Sequence, residues 1–255
     1  MSRGAPLSQT TVVIPCYNEA ERLDVRAFRE YAAGRQGIRF LFVDDGSTDG
    51  TATLLRSMRD GDADAFDVVT LPRNMGKSEA VRRGILEAFE SGPDYVAFWD
   101  ADLATPLDAI AEFIDLLDRR PQLEAVIGSR VNLLGRSVRR NLARHYIGRV
   151  FATAASAVLR LAVYDTQCGA KMFRVNQDTT KLFQEPFIAG WIFDVEILAR
   201  MVRARRGADR PPVSAVIYEQ PLMTWHDVQD SKVRPGIFVT VAVDLARIWF
   251  KYMRG

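Results

Sequence analysis

The 255-residue chain has few of the residues that build disulfide frameworks and zinc sites. It contains two cysteines and two histidines, and neither a CxxC pair nor a zinc-type Cys/His spacing occurs. This scarcity excludes both kinds of small scaffold and is typical of a reducing compartment. No apolar run reaches the roughly 20 residues of a membrane span, and residues 1–10 lack the apolar stretch of a signal peptide. We therefore expect a cytoplasmic protein without a spanning helix.

Charge of one sign is not in excess either. The 34 Lys and Arg residues nearly balance 32 Asp and Glu residues, which leaves a formal net charge of +2. This balance gives no reason to expect a nucleic-acid partner. Hydrophobic residues make up 48% of the chain, an ordinary share that suffices for the core of one large α/β domain.

The first half of the chain alternates short apolar runs with longer amphipathic ones. Such alternation predicts a mostly parallel sheet covered by helices on both faces. The predicted strands are 11–16, 40–43, 68–71, 95–99 and 125–128, and the predicted helices are 21–33, 49–60, 77–90 and 107–119. The second half is less regular, with helices expected at 141–161, 193–206 and 236–253 and strands at 168–173 and 213–222.

Polar clusters follow the first four predicted strands. In a parallel sheet, ligands bind at the carboxyl ends of the strands, so we expect these clusters to form one binding site. The candidates for contact with a bound nucleotide donor are Pro15, Tyr17, Asn18, Glu19, Asp44, Asp45, Lys77, Asp100 and Ala101.

The Asp100-Ala101-Asp102 segment is the candidate metal site. Two carboxylates at one strand end supply the oxygen ligands that Mg²⁺ or Mn²⁺ prefers, and such a cation would stabilise a diphosphate leaving group. The alternative is a solvated loop or a helix cap. We expect Asp100 and Asp102 to act as metal ligands and therefore as catalytic residues.

Two further segments point to a nucleotide. After the second strand, Gly46 permits a tight turn, and an aspartate before it, Asp44 or Asp45, suits a base or ribose. Residues 47–49 read more simply as a helix cap. Lys77 is the first residue of the third predicted helix, and a helix N-terminus favours a bound phosphate. An ordinary surface lysine would explain this position equally well. Gly76 and Lys77 do not form a P-loop, because the glycine required five positions earlier is Leu71.

Together these motifs resemble a known enzyme family. Residues 14–19 (IPCYNE), 43–47 (VDDGS), 74–77 (NMGK) and 100–102 (DAD) are similar to the inverting GT-A glycosyltransferases of family 2. Residues 128–130 (GSR), 165–169 (DTQCG), 171–173 (KMF) and 191–196 (WIFDVE) resemble its dolichyl-phosphate β-glucosyltransferase branch and the bacterial polyprenyl-phosphate relatives. The resemblance spans about residues 11–233.

The resemblance implies a GT-A fold and a concrete reaction. Such enzymes move a hexose, here glucose from UDP-glucose, to a polyprenyl or dolichyl phosphate with a divalent metal. A phosphate acceptor is largely ionised at neutral pH, so it needs positioning more than it needs a base. Arginines suit that task, although a solvated basic helix face would explain their density equally well. The resemblance favours Arg130, Arg149 and, less directly, Arg144 as acceptor ligands, together with Gln167.

The sequence departs from the family at several places, two of which bear on function, and it leaves alternatives open. The eukaryotic relatives carry an N-terminal membrane anchor that we do not expect here. Ala104 stands where related mannosyltransferases have a glutamine, so a third side-chain metal ligand is not supplied. If the acceptor were a saccharide or another hydroxyl, Asp194 would be the base. Otherwise it is an acid at a helix N-terminus. A non-catalytic paralogue is the other alternative, and both metal aspartates speak against it.

The expected organisation is one catalytic domain over residues 1–235, with a donor half at 11–130 and an acceptor half at 131–235. Residues 236–255 form an amphipathic helix rich in aromatic and basic residues. Such a helix fits an interfacial anchor at the cytoplasmic face of a membrane. The alternative is that it packs on the core or on a second subunit of a homo-oligomer.

Overall fold

A computed structural model describes residues 8–131, 133–139, 142–226 and 237–254, with backbone only at 138, 139, 142–147, 237 and 238. The strands are β1 (Thr10–Cys16), β2 (Ile38–Asp44), β3 (Phe66–Thr70), β4 (Tyr95–Trp99), β5 (Ala125–Ser129), β6 (Ser137–Arg139), β7 (Ala170–Arg174), β8 (Ile217–Pro221) and β9 (Thr224–His226). The helices are α1 (Val25–Ala33), α2 (Thr51–Gly61), α3 (Lys77–Glu90), α4 (Asp108–Arg119), α5 (Leu142–Leu159), α6 (Gln177–Gln184), α7 (Phe193–Arg205), α8 (Val213–Val216) and α9 (Ile237–Ile248), which a π-helical turn (Trp249–Met253) extends.

Seven strands form one sheet in the order β3-β2-β1-β4-β7-β5-β8. All the pairings are parallel except those of β7, which runs antiparallel to both β4 and β5. Strands β6 and β9 form a separate parallel pair. The chain crosses from β3, at one edge, back to β4 beside β1. This reversal creates the crevice at the strand ends in which open α/β sheets bind ligands.

Alternating side chains on the strands build a core on each face of the sheet. Along β1, Val12 and Ile14 pack on one face, among residues of α1, α2 and α4, while Val13 packs on the other face with α3 and α7. All three valine and isoleucine side chains are fully buried. Burial of such a side chain contributes about 1.5–3 kcal/mol, so a strand enclosed on both faces is held firmly. The loops at its end therefore start from a rigid base.

The predicted mostly parallel sheet is confirmed, with differences at several element boundaries. Helix α1 begins at Val25 and not near residue 21, because the Asp24 carboxylate caps it by accepting from the Ala27 N–H at 2.9 Å. The strand predicted over 213–222 is wrong in its first part, where α8 precedes β8. A short apolar run has no periodicity that separates the two states, and Pro212 favours a helical start. Helix α6 and the β6–β9 pair were not predicted.

None of the helices in the described part of the chain combines the length and the apolarity that crossing a bilayer requires. The C-terminal helix α9 and its π-helical extension pack with one face against α7. The Tyr252 hydroxyl donates to the buried Glu196 carboxylate at 2.8 Å, and the Arg206 guanidinium donates to the Met253 carbonyl at 3.1 Å. The opposite face is exposed at Val239, Val243 and Phe250.

Candidate functional site

The predicted polar clusters meet at one edge of the sheet. The loops after β1, β2 and β4 leave the carboxyl ends of parallel strands. Because β7 is antiparallel, its first residue, Ala170, pairs with Trp99, the last residue of β4. The segment before β7, residues 165–169, therefore reaches the same edge as Asp100 and Asp102. The strand direction of β7 is what unites the two most specific motifs of the sequence.

Hydrogen bonds join the loop after β1 to the loop after β2. The Asn18 N–H donates to Ser47 Oγ at 3.0 Å, and the Thr48 N–H donates to Asn18 Oδ1 at 2.9 Å. The Glu19 N–H donates to Thr51 Oγ1 at 2.8 Å. Asn18 adopts the left-handed conformation at φ 54°, which asparagine tolerates well. These predicted donor-site residues thus brace the two loops, while Pro15 and Tyr17 beside them are half-buried.

Asp44 and Asp45 are both buried and have different partners. Asp44 Oδ1 accepts from the Ser47 N–H at 3.0 Å. Both oxygens of Asp45 accept from the loop before α3, from the Met75 N–H at 2.7 Å and the Gly76 N–H at 2.8 Å. Burial raises the pKa of Asp45, although these hydrogen bonds oppose the shift. Asp45 therefore orders the start of α3, and its predicted contact with a donor stays a prediction, as does that of Asp44.

Gly46 lies where the loop after β2 touches the loop before α3. Its φ is +64°, and a Cβ there would stand 2.3 Å from the Arg73 carbonyl carbon and 2.6 Å from the Asn74 nitrogen. Both neighbours are backbone atoms that cannot move aside cheaply. Only glycine allows the two loops to approach this closely.

We expect Gly46→Ala to lower the free energy of unfolding by about 2–5 kcal/mol, from overpacking together with the positive φ. The matched control is Gly50→Ala, since a Cβ there meets only the Ala20 Cβ at an ordinary 3.6 Å. Thermal and denaturant unfolding of both variants measures the difference. Equal stability of the two variants would contradict the close approach of the loops.

The Asp100 and Asp102 carboxylates lie together at the end of β4. Burial raises the pKa of Asp102, and the like charge of Asp100 raises it further. Lys77, the first residue of α3, forms an ion pair with Asp100 Oδ1. Burial alone would lower the pKa of Lys77, but the charges of Asp100 and Asp194 outweigh it and raise that pKa. The site therefore gathers negative charge that a cation would neutralise.

Gly169 provides the space that the Asp100 carboxylate occupies. A Cβ on Gly169 would lie 1.9 Å from Asp100 Oδ2 and 2.2 Å from its carboxyl carbon. The Asp100 N–H also donates to the Gly169 carbonyl at 3.0 Å, so the two backbones are in contact. Ala101, the residue between the two aspartates, is buried and contributes no polar side chain. The glycine thus sets where the carboxylate can point.

These features fit a divalent metal held by Asp100 and Asp102. The donor set is two carboxylates, and the cradle at Gly169 leaves Asp100 free of steric obstruction. Within the part of the chain that the structure describes, no three or more His, Cys, Asp or Glu side chains are grouped to hold a metal. Mg²⁺ is commonly held by one or two carboxylates, waters and substrate phosphates, so two protein ligands suffice.

An arginine-lined cleft lies next to the two aspartates. The Arg130 guanidinium binds the Asp165 carboxylate through two hydrogen bonds of 2.6 and 2.8 Å. Burial alone would lower the pKa of Arg130, but the charge of Asp165 raises it, and Asp100 adds to the effect. Arg149 stacks on the Tyr164 ring at 3.9 Å. Both arginines and Gln167 line the cleft.

The loop that carries Asp165 is itself held by a carboxylate on β8. The two Glu219 oxygens accept from the Tyr164 N–H at 2.9 and 3.0 Å, and one of them accepts from the Asp165 N–H at 2.9 Å. No pattern in the sequence indicated this role of Glu219. Asp165 belongs to the DTQCG motif, which the sequence identified only by its resemblance to a family. The motif gave no indication that Asp165 orients Arg130.

Asp194 lies at the start of α7 and is almost entirely buried. Its Oδ1 forms an ion pair with Lys171 Nζ at 2.5 Å, and the Gln167 amide donates to its Oδ2 at 3.5 Å. Lys171 is also buried and donates to the Cys168 carbonyl at 2.6 Å. Asp194 is therefore tied to the DTQCG segment, a link that no sequence pattern revealed. Its role as a base stays a prediction.

The structure thus brings together the predicted residues of the first half with Arg130, Arg149, Gln167 and Asp194. Arg144 lies on α5, but its side chain is outside the described residues. The predicted roles of these residues in donor, acceptor and metal binding stay predictions.

Comparison with known proteins identifies the family. The family model for glycosyl transferase family 2 matches residues 11–178, about two thirds of the chain. The chain belongs to glycosyl transferase family 2. Family membership makes it a glycosyltransferase, in agreement with the resemblance in its motifs.

Individual relatives of this glycosyltransferase support the same family assignment. It is 30% identical to a dolichyl-phosphate β-glucosyltransferase of Saccharomyces cerevisiae, over 96% of this chain and 75% of the yeast protein. It is 35% identical to an undecaprenyl-phosphate 4-deoxy-4-formamido-L-arabinose transferase of Serratia proteamaculans, over 46% of this chain and 36% of that protein. Among solved structures, Mycobacterium tuberculosis glucosyl-3-phosphoglycerate synthase with Mn²⁺, UDP-glucose and phosphoglyceric acid matches at a TM-score of 0.66. That match has 19% identity and covers 95% of this chain and 80% of the other. The predicted GT-A fold is confirmed.

Proposed function

We propose that this glycosyltransferase moves a hexose from a nucleotide diphosphate sugar to a polyprenyl phosphate, and that the pair is UDP-glucose and a dolichyl-type phosphate. The observation that carries the proposal is the arginine-lined cleft beside the Asp100–Asp102 pair. A cationic cleft next to a diphosphate-binding metal site suits an anionic acceptor. The names of the yeast and Serratia relatives, which act on lipid phosphates, support the same class of acceptor.

The two sides of the site have separate tasks in this proposal. Asp100 and Asp102 would hold Mg²⁺ or Mn²⁺, and such a cation would stabilise negative charge on the leaving diphosphate. Lys77, at the N-terminus of α3, would pair with a phosphate of the donor. The loops after β1 and β2 hold the nucleotide. Their mutual hydrogen bonds keep that half ordered before the donor arrives, which lowers the entropic cost of binding.

Arg130 and Arg149 hold the acceptor phosphate. The Asp165 carboxylate and the Tyr164 ring fix the two guanidinium groups in place, so little side-chain freedom is lost on binding. The phosphate oxygen is already ionised at neutral pH and attacks without a strong base. Asp194, held by Lys171 and Gln167, then serves to order the DTQCG segment. This arrangement supports a phosphate acceptor over a hydroxyl acceptor, for which a base would be needed.

A donor screen tests the proposed function. The protein is incubated with Mn²⁺ or Mg²⁺, a polyprenyl phosphate and one of several labelled nucleotide sugars, and lipid-soluble label is followed. We expect transfer from UDP-glucose that stops when a chelator removes the metal. A lack of transfer to lipid phosphate, combined with transfer to a soluble hydroxyl acceptor, would reject the proposed acceptor.

We expect Arg149→Ala to raise the KM for polyprenyl phosphate about tenfold to a hundredfold, because a charge-assisted contact with phosphate is lost. The Kd for UDP should stay within about twofold, because the arginine lies on the acceptor side. Arg149 is a cleaner target than Arg130, whose removal leaves Asp165 buried without its cation. Arg56→Ala, at an exposed position on α2, is the control. A loss of UDP affinity instead would assign Arg149 to the donor.

The proposed acceptor requires the enzyme to work at a membrane surface, because moving a polyprenyl chain out of the bilayer costs about 0.8 kcal/mol for each CH₂ group that becomes exposed to water. We propose a peripheral association at the cytoplasmic face. The C-terminal helix remains one candidate contact, through the exposed Val239, Val243 and Phe250. The division of the chain into a donor half and an acceptor half also remains a proposal.

A further inference from the structure

Three exposed apolar side chains cluster on two neighbouring loops beside the acceptor cleft. Leu134 is fully exposed, Leu133 is 45% exposed and Met223 is 51% exposed. We call Leu133, Leu134 and Met223 the apolar tip. Single apolar residues on a surface need no explanation, but exposed apolar residues on adjoining loops are a candidate interaction surface.

Hydrogen bonds hold the two loops of the apolar tip together. The Ser137 N–H donates to the Met223 carbonyl at 3.0 Å, and the Arg136 N–H closes a turn onto the Leu133 carbonyl at 3.1 Å. The Arg136 guanidinium also donates to the Pro221 carbonyl. These contacts present the leucines outward in a fixed arrangement. The cost of exposing them to water therefore persists until a partner covers them.

The apolar tip lies at the edge of the sheet that carries the cleft. It follows β5 and β8, whose last residues, Ser129 and Pro221, pair in parallel register. Leu134 is four residues after Arg130, which limits their separation to about 14 Å of extended chain. A contact at the tip therefore brings its partner close to the Arg130 guanidinium.

The charge around the apolar tip indicates the chemistry of that partner. In sequence, residues 130–149 contain six arginines and no aspartate or glutamate, and among the side chains that the structure describes, Arg136 lies on the loop of the tip and Arg149 lines the cleft. A second copy of the chain would set these positive segments against each other and be repelled. An anionic lipid surface would instead accept the leucines into its acyl boundary and would attract the positive charge of this segment.

We infer that the apolar tip is the point at which this protein docks on an anionic lipid bilayer. The inference rests on the proposed polyprenyl phosphate acceptor and adds where the membrane meets the chain. With the leucines in the boundary layer, the cleft faces the headgroups, where the phosphate of a polyprenyl phosphate lies. The apolar tail never has to leave the bilayer.

Vesicle sedimentation tests the docking surface without donor or acceptor. The test variant is Leu133→Ser/Leu134→Ser, and the competing-site control is Val239→Ser/Val243→Ser, which removes two exposed aliphatic side chains from α9, the other candidate membrane contact. Vesicles of phosphatidylglycerol and phosphatidylcholine are compared with pure phosphatidylcholine. Thermal unfolding and UDP binding verify that both variants are folded. All the substituted side chains are exposed or outside the donor site, so we expect neither property to change.

The wild type should bind the anionic vesicles more tightly than the neutral ones. The tip variant should bind about tenfold more weakly, as expected for the loss of two inserted aliphatic side chains. The α9 control should stay within about twofold of the wild type. Unchanged binding of the tip variant would overturn the inference. A loss of vesicle binding confined to the α9 control would also overturn it. The absence of vesicle binding by the wild type would overturn it as well and would indicate a protein partner for the tip.

A transfer assay separates this inference from the proposed function. On a long-chain polyprenyl phosphate in vesicles, the tip variant should lose about tenfold in rate. On a short, water-soluble isoprenyl phosphate it should match the wild type. An equal loss on both acceptors would overturn the docking role. If the wild type transfers to neither acceptor, the proposed function fails, and vesicle binding alone still decides whether the tip docks.

Discussion

The Asp102→Asn variant is expected to lose about a thousandfold or more in metal-dependent transfer, since one of the two proposed anionic metal ligands becomes a neutral amide. Its stability should not fall. The like charge of Asp100 and burial raise the pKa of Asp102, so the metal-free fold gains nothing from that second negative charge. Function and stability should therefore separate clearly at this position.

Initial rates across a Mn²⁺ titration, together with direct Mn²⁺ binding in the presence of UDP, measure the effect. Asp108→Asn is the control, because its side chain is 81% exposed and its ion pair with Arg35 lies at the surface. Full activity of Asp102→Asn at limiting Mn²⁺ would remove Asp102 from the metal site. A drop in unfolding temperature matching the loss of activity would assign it a structural role instead.

The Gly169→Ala variant is expected to lose activity about a hundredfold or more, for a reason visible only in the structure. Its Cβ would stand 1.9 Å from Asp100 Oδ2. A carboxylate at the end of a side chain can rotate away at little cost to the fold, but it then no longer points where the metal ligand must be. We therefore expect a large fall in metal affinity and only about 1 kcal/mol or less in stability.

The control is Gly190→Ala, where a Cβ would have no neighbour within 4 Å. Mn²⁺ affinity with UDP present, kcat/KM for the donor and the unfolding temperature are compared for the two variants. Near-normal Mn²⁺ affinity in Gly169→Ala would show that the glycine does not shape the Asp100 site. A loss of stability without a loss of affinity would point to a packing role for the segment.

Much of the first half of the chain could be predicted because its signals are local. Strand β4 and helix α3 have the predicted bounds, and the other strands of the first half differ from prediction by two residues or fewer at each end. Continuous apolar runs that alternate with amphipathic ones specify a parallel sheet directly. Once that is known, Asp100 and Asp102 must lie at its carboxyl edge. The candidate metal site thus needed little more than the order of residues along the chain.

The contacts of the second half of the chain were harder to predict from the sequence, because they join residues that are distant in sequence. Glu219 holds the loop of Tyr164 and Asp165, and Lys171 pairs with Asp194, across separations of 55 and 23 positions in sequence. No periodicity reports such contacts. The DTQCG motif marked the segment by resemblance alone, without the reason for each residue.

By itself, then, the sequence determined the fold class, the alternating elements of the first half and the polar strand ends that carry the candidate metal site. These follow from apolar periodicity and from residue chemistry, which act over a few positions. Only the tertiary structure decided that β7 runs antiparallel between β4 and β5, and this direction places Gly169 against Asp100 and the arginine cleft beside the metal site. Strand order and direction depend on which distant surfaces pack best, and the local patterns of a single sequence do not identify those pairings.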